Sequence, residues 1–335
     1  MRVLITGSAG FAGHHIVEHL LENTDWDIVG LDSLAHRGDS LRIDTRIGWT
    51  DSLPRYHFFC HDLRAPISDR LADLMGPIDY ILNVASESHV DRSIDDPVGF
   101  CENNFRLAQN MLEYARKVKP KMFVQFSTDE VYGAAPGDTL HAEWSPIIPS
   151  NPYAASKACQ EALAISYWRT YDVPVVITNT MNLFGERQDP EKFIPMLIRK
   201  IAREEQVTIH GRPDYVGKRF YIHCRNMADA LLFLMQRGEP VKYVDSDSLI
   251  VPDRWNIVGE IEMDNLTLAQ VIAKIIGKPL DYRLVDFHAA RPGHDRRYAL
   301  DGRKLAEAGW KAPLTFTKSL ESMITWTLSS RIWSN

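Results

Sequence analysis

Cysteine is scarce: Cys60, Cys101, Cys159 and Cys224 are the only four in 335 residues, with no C-x-x-C pair and no metal-ligand rhythm around histidine. A disulfide scaffold and a cysteine-based metal centre are excluded, and the spacing predicts buried, inert thiols in a reducing cytoplasm. Positive charge is also short, since 38 Lys and Arg against 44 Asp and Glu leave a net charge of −6. No broad cationic surface is available to neutralise a phosphate backbone or dock on acidic lipid, so neither nucleic acid nor membrane is an expected partner. No apolar run approaches the roughly 20 residues of a membrane span, and the opening Met-Arg-Val-Leu-Ile-Thr-Gly is broken too early for a signal peptide. Repeats and low-complexity tracts are missing as well. What remains, 45% apolar and 24% charged residues, describes a soluble globular chain long enough for one large α/β domain or two smaller ones.

From Arg2 a short β-branched run ends at Thr6, followed by a glycine-rich turn and an amphipathic stretch from Ala12 to Leu21. Apolar runs recur at Ile28 to Leu31, His57 to Cys60, Tyr80 to Val84, Met122 to Ser127 and Val175 to Thr180, most of them separated by helical-period segments. Runs buried on both faces and alternating with helices predict a parallel sheet with right-handed crossovers. The longest helical candidates, Pro97 to Lys117 and Pro152 to Tyr171, carry more apolar residues than one sheet face can cover, which predicts a homodimer through them, with a plain core face as the alternative. After Thr180 the alternation breaks into helices at Phe193 to Arg203, Met227 to Gln236 and Leu268 to Ile276, with short strands and Pro/Gly turns. The expected division is therefore a dinucleotide-binding unit over 1–180 and a smaller mixed α/β lobe over 181–335, some of whose segments, such as a strand near Trp255 to Val258, return to the first unit.

Gly7, Gly10 and Gly13, with Phe11 and Ala12 between the last two, lie between the first strand and the first helix. Glycine there lets the backbone turn tightly and approach a pyrophosphate, whose charge meets the helix N-terminus. The spacing is G-x-x-G-x-x-G. Asp32 closes the second strand, where a carboxylate accepts hydrogen bonds from an adenosine ribose and repels a 2′-phosphate, so NAD is favoured over NADP even with Arg37 nearby. Asp62 and Leu63, after the third strand, are placed beside the adenine. The fold expected from these signals is a Rossmann-type doubly wound parallel sheet.

Tyr153 and Lys157 are four apart at the start of a predicted helix, so both fall on one face, one turn apart. A neighbouring ammonium lowers a phenol's pKa, and the tyrosine then accepts a proton from a sugar hydroxyl as hydride leaves the same carbon. Ser127-Thr128-Asp129-Glu130 ends a strand, and ligands of open α/β sheets bind at strand carboxyl ends, so the two motifs are expected to meet. A nicotinamide oxidation needs neither Asp129 nor Glu130. Two carboxyls in one site separate in protonation through burial and repulsion, giving one acid and one base, which suits elimination of water. The competing reading is a solvated strand-end turn.

GSAGFAG, ASESHVDRSIDDP, STDEVYG, NPYAASKA, FGERQDPEKFIP and RPGHDRRYALD together resemble the extended short-chain dehydrogenase/reductases, and within them the nucleotide-sugar 4,6-dehydratase branch, closest to its dTDP-glucose members. The resemblance implies the following cycle. Tyr153 takes the proton of the 4-hydroxyl while hydride passes to NAD, Glu130 removes the proton at carbon 5, Asp129 protonates the departing 6-hydroxyl, and hydride returns to carbon 6. Thr128 would hydrogen-bond the oxygen at carbon 4. Ala85 is carried over as a cofactor contact, and Ser88, Asn182, Lys192, Arg219, Asn256, Arg291 and His294 as substrate contacts. Departures from the branch pattern fall on the substrate side, at Asn182-Leu183, Gly185-Glu186-Arg187, the lengthened turn between Gly211 and Arg219, and Arg219-Phe220-Tyr221. Alternatives are a nucleotide-sugar 4-epimerase or decarboxylase, neither of which needs the acid pair, and a non-catalytic NAD-binding scaffold, which would be free to lose Tyr153, Lys157 or Glu130.

Overall fold

In the computed structural model, which describes residues 1–35, 39, 41–42, 54–244, 249–286, 295–330 and 333, the aliphatic run Arg2–Thr6 is a strand near the middle of a seven-stranded parallel sheet. Across that sheet the order is Asp253–Ile257, Val175–Thr180, Met122–Thr128, Tyr80–Asn83, Arg2–Thr6, Asp27–Asp32 and Tyr56–Cys60. The chain winds outward one way from Arg2–Thr6 through the next two strands, then returns to Tyr80–Asn83 and winds the other way. This reversal opens a crevice at the carboxyl ends of the two central strands, the place where such sheets bind ligands.

Helices cover both faces. Phe11–Asn23 packs with Cys224–Gln236 over one face, where Ile16, Leu20, Met227 and Leu231 are fully buried. On the other, Pro97–Val118 packs along Pro152–Tyr171, burying Met111, Leu112 and Trp168 against Phe123 and Ile177. Three segments beyond residue 180 thus join the large sheet and its core: the helix Cys224–Gln236, the edge strand Asp253–Ile257, which pairs with Val175–Thr180, and the stretch from Tyr298 through the helix Arg303–Glu307 to Trp310. The remainder forms two three-stranded sheets around a separate core of Phe184, Ile198, Ile209, Leu268, Leu320 and neighbours, with Phe193–Ala202, Asn265–Ile276 and Phe316–Ser329 packed on it. Among the described residues no helix is long and apolar enough to cross a membrane.

Candidate active site

At the carboxyl end of Arg2–Thr6 the backbone turns at Gly7 with φ +67°, a left-handed conformation that favours glycine. A Cβ on Gly13 would lie 1.9 Å from the Gly7 carbonyl oxygen, so any side chain there would break the turn. The Gly10 N–H donates to that same oxygen at 2.9 Å, and no side chain caps the helix Phe11–Asn23 that follows. Its first N–H groups are left for an anion at the rim of a cleft of about 750 Å³, lined by Gly7, Gly10, Phe11, Ala12 and Gly13. The Thr6 hydroxyl ties the neighbouring loop in place by accepting the N–H groups of Val84 and Ala85, each at 3.0 Å.

Asp32 lies at the next strand end, with Oδ2 accepting Ala9 N–H at 3.0 Å and Oδ1 accepting Leu34 N–H at 2.9 Å. Burial pushes its carboxyl above the usual range, against the pull of those two N–H groups. The residue therefore braces the glycine turn as well as lining the cleft, and each oxygen keeps a lone pair for a ribose hydroxyl. The turn and the carboxylate fit a dinucleotide. Asp32→Ala is expected to cut cofactor retention about tenfold or more, from the worth of charge-assisted hydrogen bonds, as read from NAD co-purified with the protein; unchanged NAD content removes Asp32 from the site. Leu63 is buried on the same wall, and Asp62 lines it too, its carboxylate paired with Arg64, whose guanidinium donates to it at 2.5 Å and holds it below its ordinary pKa. Arg37 lies outside the described residues.

Met122–Thr128 delivers the acid pair. The Thr128 hydroxyl donates to Asp129 Oδ1 at 2.9 Å and accepts Glu130 N–H at 3.3 Å, while Asp129 Oδ2 is buried without a hydrogen-bond partner. Burial, then the Glu130 charge, raises Asp129 to about 7. Glu130 is also raised by burial, but Asn151, Arg219, Lys192 and Tyr298 all pull it back toward the carboxylate. Asn151 has two tasks, since its amide donates to Glu130 Oε2 at 3.1 Å and its carbonyl oxygen caps Pro152–Tyr171 by accepting Ala154 N–H at 2.9 Å. The residue that starts the helix is thus the one that holds Glu130.

Tyr153 and Lys157 occupy the first turns of that helix and both line the cleft, as their four-residue spacing requires. Lys157 donates to the Phe126 carbonyl and to Gln160 Oε1, each at 2.7 Å, and burial lowers it to about 7. The expected lowering of the tyrosine is reversed here. Burial first, then the charges of Glu130 and Asp129, push the phenol well above its ordinary value, and only a hydrogen bond with Thr128 opposes them.

On the substrate side, Ser88, Asn182, Lys192 and Arg219 reach the cleft. Lys192 donates to the Ser88 carbonyl at 3.4 Å. Arg219 is buried, its guanidinium held by the carbonyls of Lys218, Asp295 and Arg296 at 2.7, 2.6 and 2.8 Å and stacked 4.6 Å from the Tyr298 ring centroid. Its charge lowers both Asp129 and Glu130, so it serves the acid pair from a fixed position. Asn256 does not join the site. It is fully buried on the edge strand, where its amide donates to the carbonyls of His141 and Asp301 at 2.9 and 3.1 Å. Arg291 and His294 lie outside the described residues. Sequence reasoning missed Asn151 and Tyr298, although both stand inside quoted motif segments, and Gln160, which had no motif signal.

Known proteins match this chain over nearly its whole length. Residues 3–246 match the NAD dependent epimerase/dehydratase family. The chain is 36% identical to the low-salt glycan biosynthesis protein Agl12 of Haloferax volcanii, over 98% of this chain and 99% of that one. It is 33% identical to dTDP-glucose 4,6-dehydratase of Escherichia coli, over 99% and 94%. Among solved structures, DesIV, a dTDP-glucose 4,6-dehydratase from Streptomyces venezuelae with NAD and TYD bound, superposes with a TM-score of 0.87 at 32% identity, covering 99% of this chain and 98% of that one.

Proposed function

Because the chain belongs to the NAD dependent epimerase/dehydratase family, we propose that it is a lyase, an NAD-dependent nucleotide-sugar 4,6-dehydratase that turns an NDP-hexose into the NDP-4-keto-6-deoxyhexose, with dTDP-glucose as the substrate. The observation that carries this reading is the pairing of buried Asp129 with half-buried Glu130 at the strand end, one step from Thr128 and facing the same cleft as Tyr153. A 4-epimerase oxidises and re-reduces carbon 4, and a decarboxylase loses carbon dioxide after the oxidation, so neither has a use for that pair.

The glycine turn, the uncapped helix start and Asp32 would hold NAD, with Lys157 and Tyr153 alongside. When bound, NAD supplies reversible hydride acceptance, which lets one enzyme oxidise carbon 4 and reduce carbon 6 with no net redox change. Tyr153 takes the 4-hydroxyl proton and Thr128 hydrogen-bonds the oxygen that remains. The resulting 4-keto group acidifies the hydrogen at carbon 5, which makes abstraction by a carboxylate feasible. Glu130, pulled toward its ionised form by four neighbours, is the base; Asp129, held near 7 with a bare Oδ2, is the acid that protonates the departing 6-hydroxyl. The two titrate as a pair, and the asymmetry of their surroundings divides the labour. Ser88, Asn182, Lys192 and Arg219 would meet the sugar and its diphosphate.

Four free cysteines support a cytoplasmic location, although only Cys224 is buried as expected, Cys60 and Cys159 being exposed and Cys101 half-buried on elements whose outer faces they occupy. Exposed Val98 and Tyr171, with half-buried Leu163 and Ile165, support a homodimer through Pro97–Val118 and Pro152–Tyr171. The deciding experiment is incubation with dTDP-, UDP-, CDP- and GDP-linked glucose followed by mass analysis for loss of water. Dehydration of the dTDP sugar is expected. Turnover confined to another base overturns the substrate, and a keto-sugar that has kept its water overturns the dehydratase.

A further inference from the structure

Behind Lys157 runs a ladder of buried polar side chains that none of the steps above uses. Thr6 donates to Asn83 Oδ1 at 3.1 Å, Asn83 to Gln125 Oε1 at 2.9 Å, Gln125 to Gln160 Oε1 at 3.1 Å, and the Lys157 ammonium to that same Gln160 oxygen at 2.7 Å. None of the five is more than 3% exposed. The ladder crosses three adjacent strands, Arg2–Thr6, Tyr80–Asn83 and Met122–Thr128, and passes to the helix Pro152–Tyr171, from the residue before the glycine turn to the lysine of the Tyr/Lys pair.

Gln160 can be oriented in one way only. Its amino group donates to the Asn104 carbonyl at 2.7 Å. Reversing the amide would put a carbonyl against that carbonyl and an NH2 group against both the Gln125 NH2 and an ammonium, so donor and acceptor chemistry fixes the oxygen toward Lys157. An ammonium has three N–H donors. Phe126 takes one and Gln160 a second, and the third is left on a side chain that lines the cleft.

The charge of Glu161 favours the ammonium form of Lys157, and Gln160 adds the side-chain hydrogen bond that fixes it. On its own helix Glu161 is committed to Arg254 at 2.7 Å and to the Asn179 amide at 2.8 Å. Asp129 and Glu130 lie at the cleft with Tyr153, and the packed helix Pro97–Val118 contributes the neutral carbonyl of Asn104. A buried ammonium without an oxygen acceptor would shed its proton. We propose that Gln160 is a positioning residue for Lys157, whose carbonyl oxygen fixes the lysine side chain and keeps it as an ammonium with one N–H directed to the cleft. This rests on the assignment of Tyr153 and Lys157 to the first oxidation.

The test is the pH profile of kcat/KM for the nucleotide sugar in the full-length NAD-loaded enzyme. Gln160→Leu removes the acceptor and is expected to lower kcat about tenfold and move the alkaline limb down by about one to two pH units, the worth of a hydrogen bond to a charged group. Gln160→Glu places a carboxylate beside the ammonium and should move the same limb upward. Asn83→Leu breaks the ladder two steps away and should lower Tm while leaving the limb where it is. If Gln160→Leu does not fold, Gln160→Asn, with its carbonyl on a shorter stem, should show a smaller downward shift. An alkaline limb common to the parent and all Gln160 variants overturns the proposal, even where Tm falls. Lys157→Met separates the premise: parental turnover in that variant removes the Tyr/Lys assignment itself.

Discussion

Glu130→Gln is expected to stop water loss while sparing the first oxidation. The amide has the shape of the carboxylate and can still accept from Asn151, but it has no basic oxygen for the proton at carbon 5. General-base removal costs about a hundred- to ten-thousandfold in rate, so dehydration should fall by that amount. Reductive trapping with borodeuteride should then capture a 4-keto hexose that has kept its 6-hydroxyl, and incubation in D2O should leave carbon 5 unlabelled. Stability gives the control. Burial raises Glu130 above its unfolded pKa, so its ionisation costs stability as pH rises through the folded value, and at neutral pH the amide removes that cost. The variant should melt at or above the parent's temperature. Equal loss of oxidation and elimination, with a fallen Tm, would make Glu130 a structural carboxylate.

What could be read in the chain follows from which forces are local. Strands such as Val175–Thr180 and helices such as Pro152–Tyr171 announced themselves by periodicity, and the glycine turn by spacing, because a Cβ at Gly13 has nowhere to go. The meeting of Thr128, Glu130 and Tyr153 was legible from strand-end topology. Asn256 was misplaced because a matched segment does not say which side of an edge strand a side chain occupies, and here it is drawn to the carbonyls of His141 and Asp301. Asn151 and Tyr298 were passed over because their value lies in contacts with Glu130, 21 and 168 residues away in sequence for a side chain whose surroundings no pattern encodes. The tyrosine's titration was read in the wrong direction for a related reason. Lysine proximity is visible in the spacing, whereas burial and the facing acid pair are not.

That reversal shapes the second large effect, the one expected of Tyr153→Phe. A phenol pushed upward by burial and by two facing carboxyls stays protonated in the resting site at any working pH, so it does not wait as a phenolate. Its proton must move onward as the sugar's proton arrives, which makes the hydroxyl an obligate conduit. Thr128, hydrogen-bonded to it and donating to Asp129 at 2.9 Å, can relay that proton to the Asp129 carboxylate, while the Lys157 ammonium, held at 2.7 Å by Phe126 and Gln160, offsets negative charge on the phenol oxygen as the proton leaves. Phenylalanine fills the same space against Phe100, whose ring stands edge-on 6.2 Å away, so folding should survive. Deleting the hydroxyl removes acid–base catalysis of the first step, worth about a hundred- to ten-thousandfold, and every later step depends on the 4-keto group it makes. Oxidation and dehydration should therefore fall together, in contrast to Glu130→Gln. The loss should sit in kcat, with KM for the nucleotide sugar near the parent's, because binding is left to Ser88, Asn182, Lys192 and Arg219. Near-parental turnover in Tyr153→Phe, or a variant that still oxidises carbon 4 but fails to eliminate, would take the tyrosine out of the first step and return the role of proton acceptor to the acid pair.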